Sequence, residues 1–253
     1  MATERLIDLA TLPLITHLHV LVFGSTLLVY NAPRIIHLPR NKERPANAYR
    51  NWHLFFFCTG GAMAIFGLYF MPLNIIITAI LLSLFAFAYF LPILPFKNRK
   101  RLRDFGWLKI FVLAGVWTIA TSVLPILYFQ KSVVDYPFEI LLRLSFIFTL
   151  CVVFDIRDMQ IDLEHNIYTL PHKVGLQNSY RLINITLLLF VGLGVIQYIR
   201  FPVGERLAGV IITAMVTRLV ADYLKKYPSE RGYLVLADGL MLLYTILILI
   251  PLL

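Results

Sequence analysis

The chain has 253 residues, of which 59% are hydrophobic and only 15% are charged. About a quarter of the residues of a soluble domain are charged, so this composition excludes an ordinary soluble protein. The net charge of +9 would suit a nucleic-acid-binding protein, but the basic residues are spread over alternate loops, which argues against that class.

Eight apolar segments are long enough to cross a bilayer, since a spanning helix needs about 20 residues at about 1.5 Å per residue. The sequence therefore predicts an all-α fold: a polytopic membrane helical bundle of about eight transmembrane helices in a single domain, 1–253. In chain order the predicted spans are 12–31, 52–70, 72–94, 107–127, 138–157, 181–199, 204–221 and 233–252.

The positive charges lie mainly in every second loop between these spans. The loops 32–51 and 95–106 each carry five Lys or Arg residues, whereas the connection near residue 131 carries Lys131 alone. Basic loops of membrane proteins stay on the cytoplasmic side. We therefore expect an integral protein of a bacterial inner membrane with its basic loops in the cytoplasm, membrane lipids around it and no nucleic-acid partner.

The segment 154–175, FDIRDMQIDLEHNIYTLPHKVG, is acidic for a chain with only 14 Asp and Glu residues, and it lies on the same predicted side. Asp155, Asp158 and Asp162 fall at i, i+3 and i+7, so they share one stripe of a helix. That helix begins near Pro137 and continues to about Leu163. The three carboxylates repel each other, and the C-terminus of the helix adds partial negative charge.

This acidic stripe has two interpretations. A bound divalent cation such as Mg²⁺, which prefers oxygen ligands, would relieve the repulsion. Alternatively, the end of the helix is solvated and its acids pair with nearby Arg and Lys side chains. We favour the cation site, with Asp155, Asp158 and Asp162 as its metal ligands.

The same segment resembles the second aspartate-rich motif of the UbiA superfamily, the intramembrane prenyltransferases. Asn166 stands in place of the turn glycine of that family, and asparagine also tolerates a left-handed helix cap. Weaker similarity, including Tyr89, Lys109 and Trp117, extends the resemblance over nearly the whole chain. The matching motif positions are Arg157, Asp158, Asp162, Asn166, Thr169, Leu170, Pro171 and Gly175.

The resemblance implies a bundle around a central cavity and a prenyltransferase activity. Such an enzyme transfers an isoprenyl group from an allylic diphosphate to a lipophilic acceptor, with ionisation assisted by Mg²⁺. It implies that Asp158 and Asp162 are catalytic and hold the metal, to which the helix stripe adds Asp155 as a third ligand. The substrate-binding residues that we expect are Asn31, Arg34, Arg40, Lys109, Arg157 and Lys173.

The chain departs from the family at the first aspartate-rich motif. The corresponding stretch, NAPRIIHLPRNKERP, keeps Asn31 but has Ala32, Ile35 and Pro39 at the three aspartate positions. Basic side chains of this loop could bind diphosphate directly, because Arg forms forked hydrogen bonds to phosphate oxygens. They could equally be ordinary residues of a cytoplasmic loop. The nine spans usual in the family are also reduced to eight.

Two functions follow from this mixture of motifs. The leading hypothesis is an active intramembrane prenyltransferase, which the second motif favours. The alternative is a catalytically degenerate UbiA-like protein that binds an isoprenoid or quinone lipid, which the altered first motif favours.

Overall fold

The computed structural model describes residues 15–36, 46–91, 101–164 and 166–249. These residues form helices and short connections, without a strand among them. We number the helices α1 to α9 in chain order. Their bounds are His17–Ile36, Ala46–Tyr69, Leu73–Phe90, Leu108–Tyr128, Pro137–Glu164, the short Leu170–Val174, Leu176–Arg200, Gly204–Lys226, and α9, which begins at Glu230 and ends at Leu249.

Within the described residues, seven helices are long and apolar enough to cross a membrane, namely all except α1 and α6. Helix α1 has 20 residues, but His17, His19, Asn31 and Arg34 lower its apolar character. The predicted polytopic helical bundle is thus confirmed, and seven of its spans meet the length and hydropathy that a membrane requires.

Helices α4 and α9 each contain one π-helical turn, at Ile119–Val123 and Tyr233–Ala237 respectively. A π-helical turn holds one more residue than an α-helical turn and is frequent at functional sites. The turn in α4 lies beside the apolar cavity described in the next section.

Helix α5 lies at the centre of the bundle and is buried along most of its length, from Glu139 to Asp162. A large core packs around it, with side chains such as Leu150, Ile183 and Tyr244, while a smaller core joins α1 to α4. Large side chains on the outside of the bundle are mostly apolar, as befits a surface that contacts lipid tails.

Helix α5 extends well beyond the length needed to cross a bilayer and ends just after the acidic stripe. Asn166 has a left-handed backbone, with φ of 56°. The backbone N–H of Ile167 donates to the carbonyl of Asp162 at 2.8 Å, and that of Asn166 donates to Leu163 at 2.9 Å. This is the hydrogen-bond pattern of a Schellman cap. It agrees with the expectation that Asn166 tolerates a left-handed backbone at the helix cap. The two hydrogen bonds hold the last turn of α5 in place.

Helices α1 and α2 pack in direct backbone contact through small residues. A methyl group added at Gly60 would lie 2.7 Å from the carbonyl oxygen of Gly24 and 2.8 Å from the Cβ atom of Leu27. A methyl group at Gly24 would likewise meet the backbone of Ala64. Small residues at such crossings allow membrane helices to approach closely and gain van der Waals contact.

This contact predicts that Gly60→Ala destabilises the protein. The added methyl group would push the two helices apart at a cost of about 1–3 kcal/mol, which exceeds the gain of up to about 1 kcal/mol from replacing glycine in a helix. Thermal unfolding in lipid nanodiscs should show a lower midpoint. Gly61→Ala is the matched control, since its methyl group would meet only a Leu28 side-chain atom at 3.5 Å. Equal midpoints for the two variants would contradict the prediction.

Candidate functional site

A largely buried lysine lies between two aspartates at the end of the bundle where α5 ends, which we name the acidic end. The Nζ atom of Lys109 is 3.1 Å from Oδ1 of Asp155 and 2.9 Å from Oδ2 of Asp162. Asp155 and Asp162 are only 3% and 9% exposed. Buried charges are expensive unless they are paired, so these three side chains stabilise one another as a unit.

Helix geometry explains why these two acids share one partner. Seven residues are close to two full turns of an α-helix, so Asp155 and Asp162 lie on the same side of α5. Asp158 pairs with Arg157 instead. Its carboxylate forms a forked pair with Arg157, with 2.6 Å from Nε to Oδ1 and 3.0 Å from Nη2 to Oδ2. Asp155 and Asp162 therefore pair with Lys109, whereas Asp158 pairs with Arg157. The three predicted metal ligands do not share one partner.

A glycine turn brings Lys109 to the acids. Gly106 has a positive φ of 55°, and a Cβ atom there would lie only 2.1 Å from the carbonyl oxygen of Tyr168. Only glycine tolerates both the positive φ and the close approach of this carbonyl oxygen. The start of α4 therefore lies directly against the segment that follows α5. Gly106 was not singled out from the sequence, although a glycine between a charged loop and an apolar run is typical of a turn.

An apolar cavity lies between α1, α3 and α4. A volume of about 100 Å³ is accessible to water-sized molecules, within about 780 Å³ of empty space that includes its opening to the outside, and its lining is almost entirely apolar. Val112 and Val116 of α4 line it, and they follow Lys109 at helical spacing, on the same side of the helix. Lys109 thus stands one turn before the cavity, at its acidic end.

Two tyrosines mark this end of the cavity. Tyr89 of α3 and Tyr30 of α1 are both part of its wall. Tyr89 is buried and lies within electrostatic range of Asp155 and Arg103, and Tyr30 lies within range of Asp238. The wall of the cavity itself has no charged side chain among the described residues, but through these two tyrosines one end of it lies near charged groups of both signs. Tyr30 was not singled out from the sequence, because a tyrosine in an apolar span is most often a packing residue.

The other predicted substrate-binding residues are more dispersed. Asn31 is buried, where it donates to the carbonyl of Leu27 at 2.7 Å and contacts His53 of α2 at 2.8 Å. Arg34 is exposed on the last turn of α1. Lys173 is exposed, with its Nζ atom 5.6 Å from the centre of the Trp107 ring. Arg40 lies outside the described residues.

Asp155, Asp158 and Asp162 do not fit a metal ion in this arrangement. Within the ranges that the structure describes, no group of three or more His, Cys, Asp or Glu side chains is placed to hold one. The two inner carboxylates already share the ammonium group of Lys109, and the third is engaged by Arg157. The acids therefore act, in this structure, as partners of basic side chains.

Comparisons by sequence find neither a family model nor a curated protein that matches the chain. Among solved structures, the chain is similar to the apo form of a UbiA homolog from Aeropyrum pernix K1, with 13% identity, a TM-score of 0.71, and coverage of 100% of this chain and 95% of that one. A structure of digeranylgeranylglyceryl phosphate synthase aligns with 19% identity, a TM-score of 0.48, and coverage of 99% and 88%.

The first of these similarities extends over the whole chain, although few residues are identical. It therefore concerns the path of the helices rather than the chemistry of the site. Together with the motif at 157–175 it leads to one conclusion. This protein is a membrane protein with the fold of the UbiA superfamily.

Proposed function

We propose that the chain is an intramembrane prenyltransferase-like protein that binds an isoprenyl diphosphate. The observation that carries this proposal is an apolar cavity whose wall begins one helical turn after Lys109 and its two ion pairs. An isoprenyl chain would occupy the apolar space between α1, α3 and α4, and its diphosphate would lie at the acidic end, near Lys109 and Arg157. Ligand pockets typically combine such an apolar wall with a few convergent polar groups.

The proposed reaction begins with cleavage of the allylic carbon–oxygen bond. The electron pair leaves with the diphosphate, and the allylic cation that remains is attacked by a lipophilic acceptor, which then loses a proton. Lys109 and Arg157 would stabilise the charge that develops on the diphosphate. The faces of Tyr30 and Trp117, both in the cavity wall, would stabilise the cation.

The magnesium requirement implied by the resemblance stays a prediction. Mg²⁺, if bound, would supply positive charge to the departing diphosphate. Because Asp158 and Asp162 each hold a basic side chain here, we assign them the role of positioning Arg157 and Lys109. The proposed steps therefore use only side chains of the protein.

A second function, binding of an isoprenoid or quinone lipid without transfer, is favoured by one observation. The described part of the first motif has no acid, since Ala32 and Ile35 stand at two of its positions, and the acids of the second motif are neutralised within the chain. Such a protein would keep the cavity and bind the lipid there, but it would not catalyse prenyl transfer.

The deciding experiment uses the purified protein in nanodiscs with radiolabelled allylic diphosphates of several chain lengths, with and without Mg²⁺. Release of diphosphate together with a prenylated acceptor supports transfer. Retention of isoprenoid lipid in mass spectra, without release from any substrate, supports the binding function instead. Absence of both release and binding would refute the two functions together.

Lys109→Met should lower diphosphate binding and release by about tenfold or more, because hydrogen bonds to charged groups contribute about 1.5–3 kcal/mol. Isothermal titration and the release assay would measure the effect. Lys131→Met is the control, since Lys131 is exposed at the opposite end of α4. The double variant Lys109→Met/Asp155→Asn separates loss of binding from instability, because it does not leave both acids unpaired. Full activity in Lys109→Met would contradict the assignment.

Ala120→Phe should shorten the isoprenyl chain that the cavity accepts. Ala120 lines the cavity, about 16 Å along α4 from Lys109 at 1.5 Å per residue. We expect geranylgeranyl diphosphate to bind about tenfold or more weakly, since overpacking costs about 1–3 kcal/mol, while the short geranyl diphosphate still binds. Ala62→Phe, at an exposed position of α2, should change neither. An equal effect on both chain lengths would place the isoprenyl chain elsewhere.

A further inference from the structure

We propose that Lys109 is the resident cation of the acidic end. Its ammonium group occupies the place between Asp155 and Asp162 that a divalent cation would take, so these acids bind no Mg²⁺. This statement about the metal does not depend on the proposed function, whereas the ligand-binding arm of its test does.

The geometry is that of a bridging cation. A single Nζ atom lies 3.1 Å from one carboxylate and 2.9 Å from the other. The two acids come from one helix and the lysine from another, 53 positions away from Asp162 along the chain. In a divalent site, oxygen ligands of the same two acids would converge on the metal. Here the acids converge on a side chain of the protein.

Charge excludes a second cation in the same place. The lysine and both acids are largely buried, so charges there are weakly screened. A divalent ion between the same carboxylates would be repelled strongly by the ammonium group. It would also have to displace Lys109, at the cost of leaving that charge buried without a partner.

One carboxylate oxygen of this cluster is left without a hydrogen bond within the described part of the chain. Oδ2 of Asp155 is buried and has no hydrogen-bond partner among the described atoms. This oxygen would be available as a metal ligand if the ammonium group were removed. The inference therefore predicts that loss of Lys109 creates a cation site.

The test measures Mn²⁺ binding by electron paramagnetic resonance, because Mn²⁺ shares the preference of Mg²⁺ for oxygen ligands. The protein is placed in nanodiscs of phosphatidylcholine alone, so that the lipid contributes no anionic sites. We expect wild type and Lys131→Met to bind no more Mn²⁺ than empty nanodiscs. Lys109→Met should gain a bound ion, and Lys109→Met/Asp155→Asn should lose it again.

Two results would overturn the proposal. The first is Mn²⁺ bound to wild type and lost in Asp162→Asn. The second is absence of Mn²⁺ from a folded Lys109→Met protein. Thermal unfolding establishes whether that variant is folded. If it is not, Lys109→Gln, which retains a polar side chain, takes its place in the same comparison.

A second arm addresses the ligand. Binding of a non-hydrolysable isoprenyl thiodiphosphate is measured with Mg²⁺ and with a chelator. Equal affinity in both conditions supports the proposal, and binding that requires Mg²⁺ overturns it. Absence of binding in both conditions would refute the proposed function instead, while the Mn²⁺ result would still decide which cation occupies the acidic end.

Discussion

The ion pairs of Lys109 with Asp155 and Asp162 are the constraint on which the acidic end of this protein depends. Two buried carboxylates on one helix face would otherwise repel each other in a weakly screened environment. Lys109 removes that repulsion and at the same time joins α4 to α5. The close packing of Gly106 against Tyr168 and the cap at Asn166 both serve this junction, because they hold the two helix ends within reach of each other.

The same junction determines where the cavity ends. Residues that line the cavity follow Lys109 along one side of α4, and Tyr89 approaches Asp155 from α3. A ligand in the cavity would therefore have its apolar part among helices and its head among charges. Neither the cavity nor the ion cluster alone would specify such a ligand, but their proximity suits a molecule with an apolar chain and a polar head.

Much of the fold could be predicted from the sequence, because a bilayer imposes long apolar helices and forbids unpaired backbone groups. The length of α5, the common stripe of its acids and the left-handed turn at Asn166 follow from local rules. The partner of the acids does not. Helix periodicity places Asp155 and Asp162 on one face, but it does not say that Lys109, from another helix, lies opposite them. Asp158 pairs with its neighbour Arg157 on the same helix, but periodicity alone does not separate it from the other two acids.

The cavity was implied by the family resemblance, but its walls could not be predicted from the apolar pattern, which is nearly the same all around a membrane helix. The π-helical turn in α4 adds a further consequence. One extra residue rotates everything beyond it by about 100° relative to a continuous α-helix. Lys109 and the deep wall of the cavity therefore belong to two separately oriented halves of α4. A deletion of one residue within 119–123 would leave the ion pairs intact and turn a different set of side chains toward the cavity. The sequence of each half of α4 can therefore change without altering the orientation of the other half.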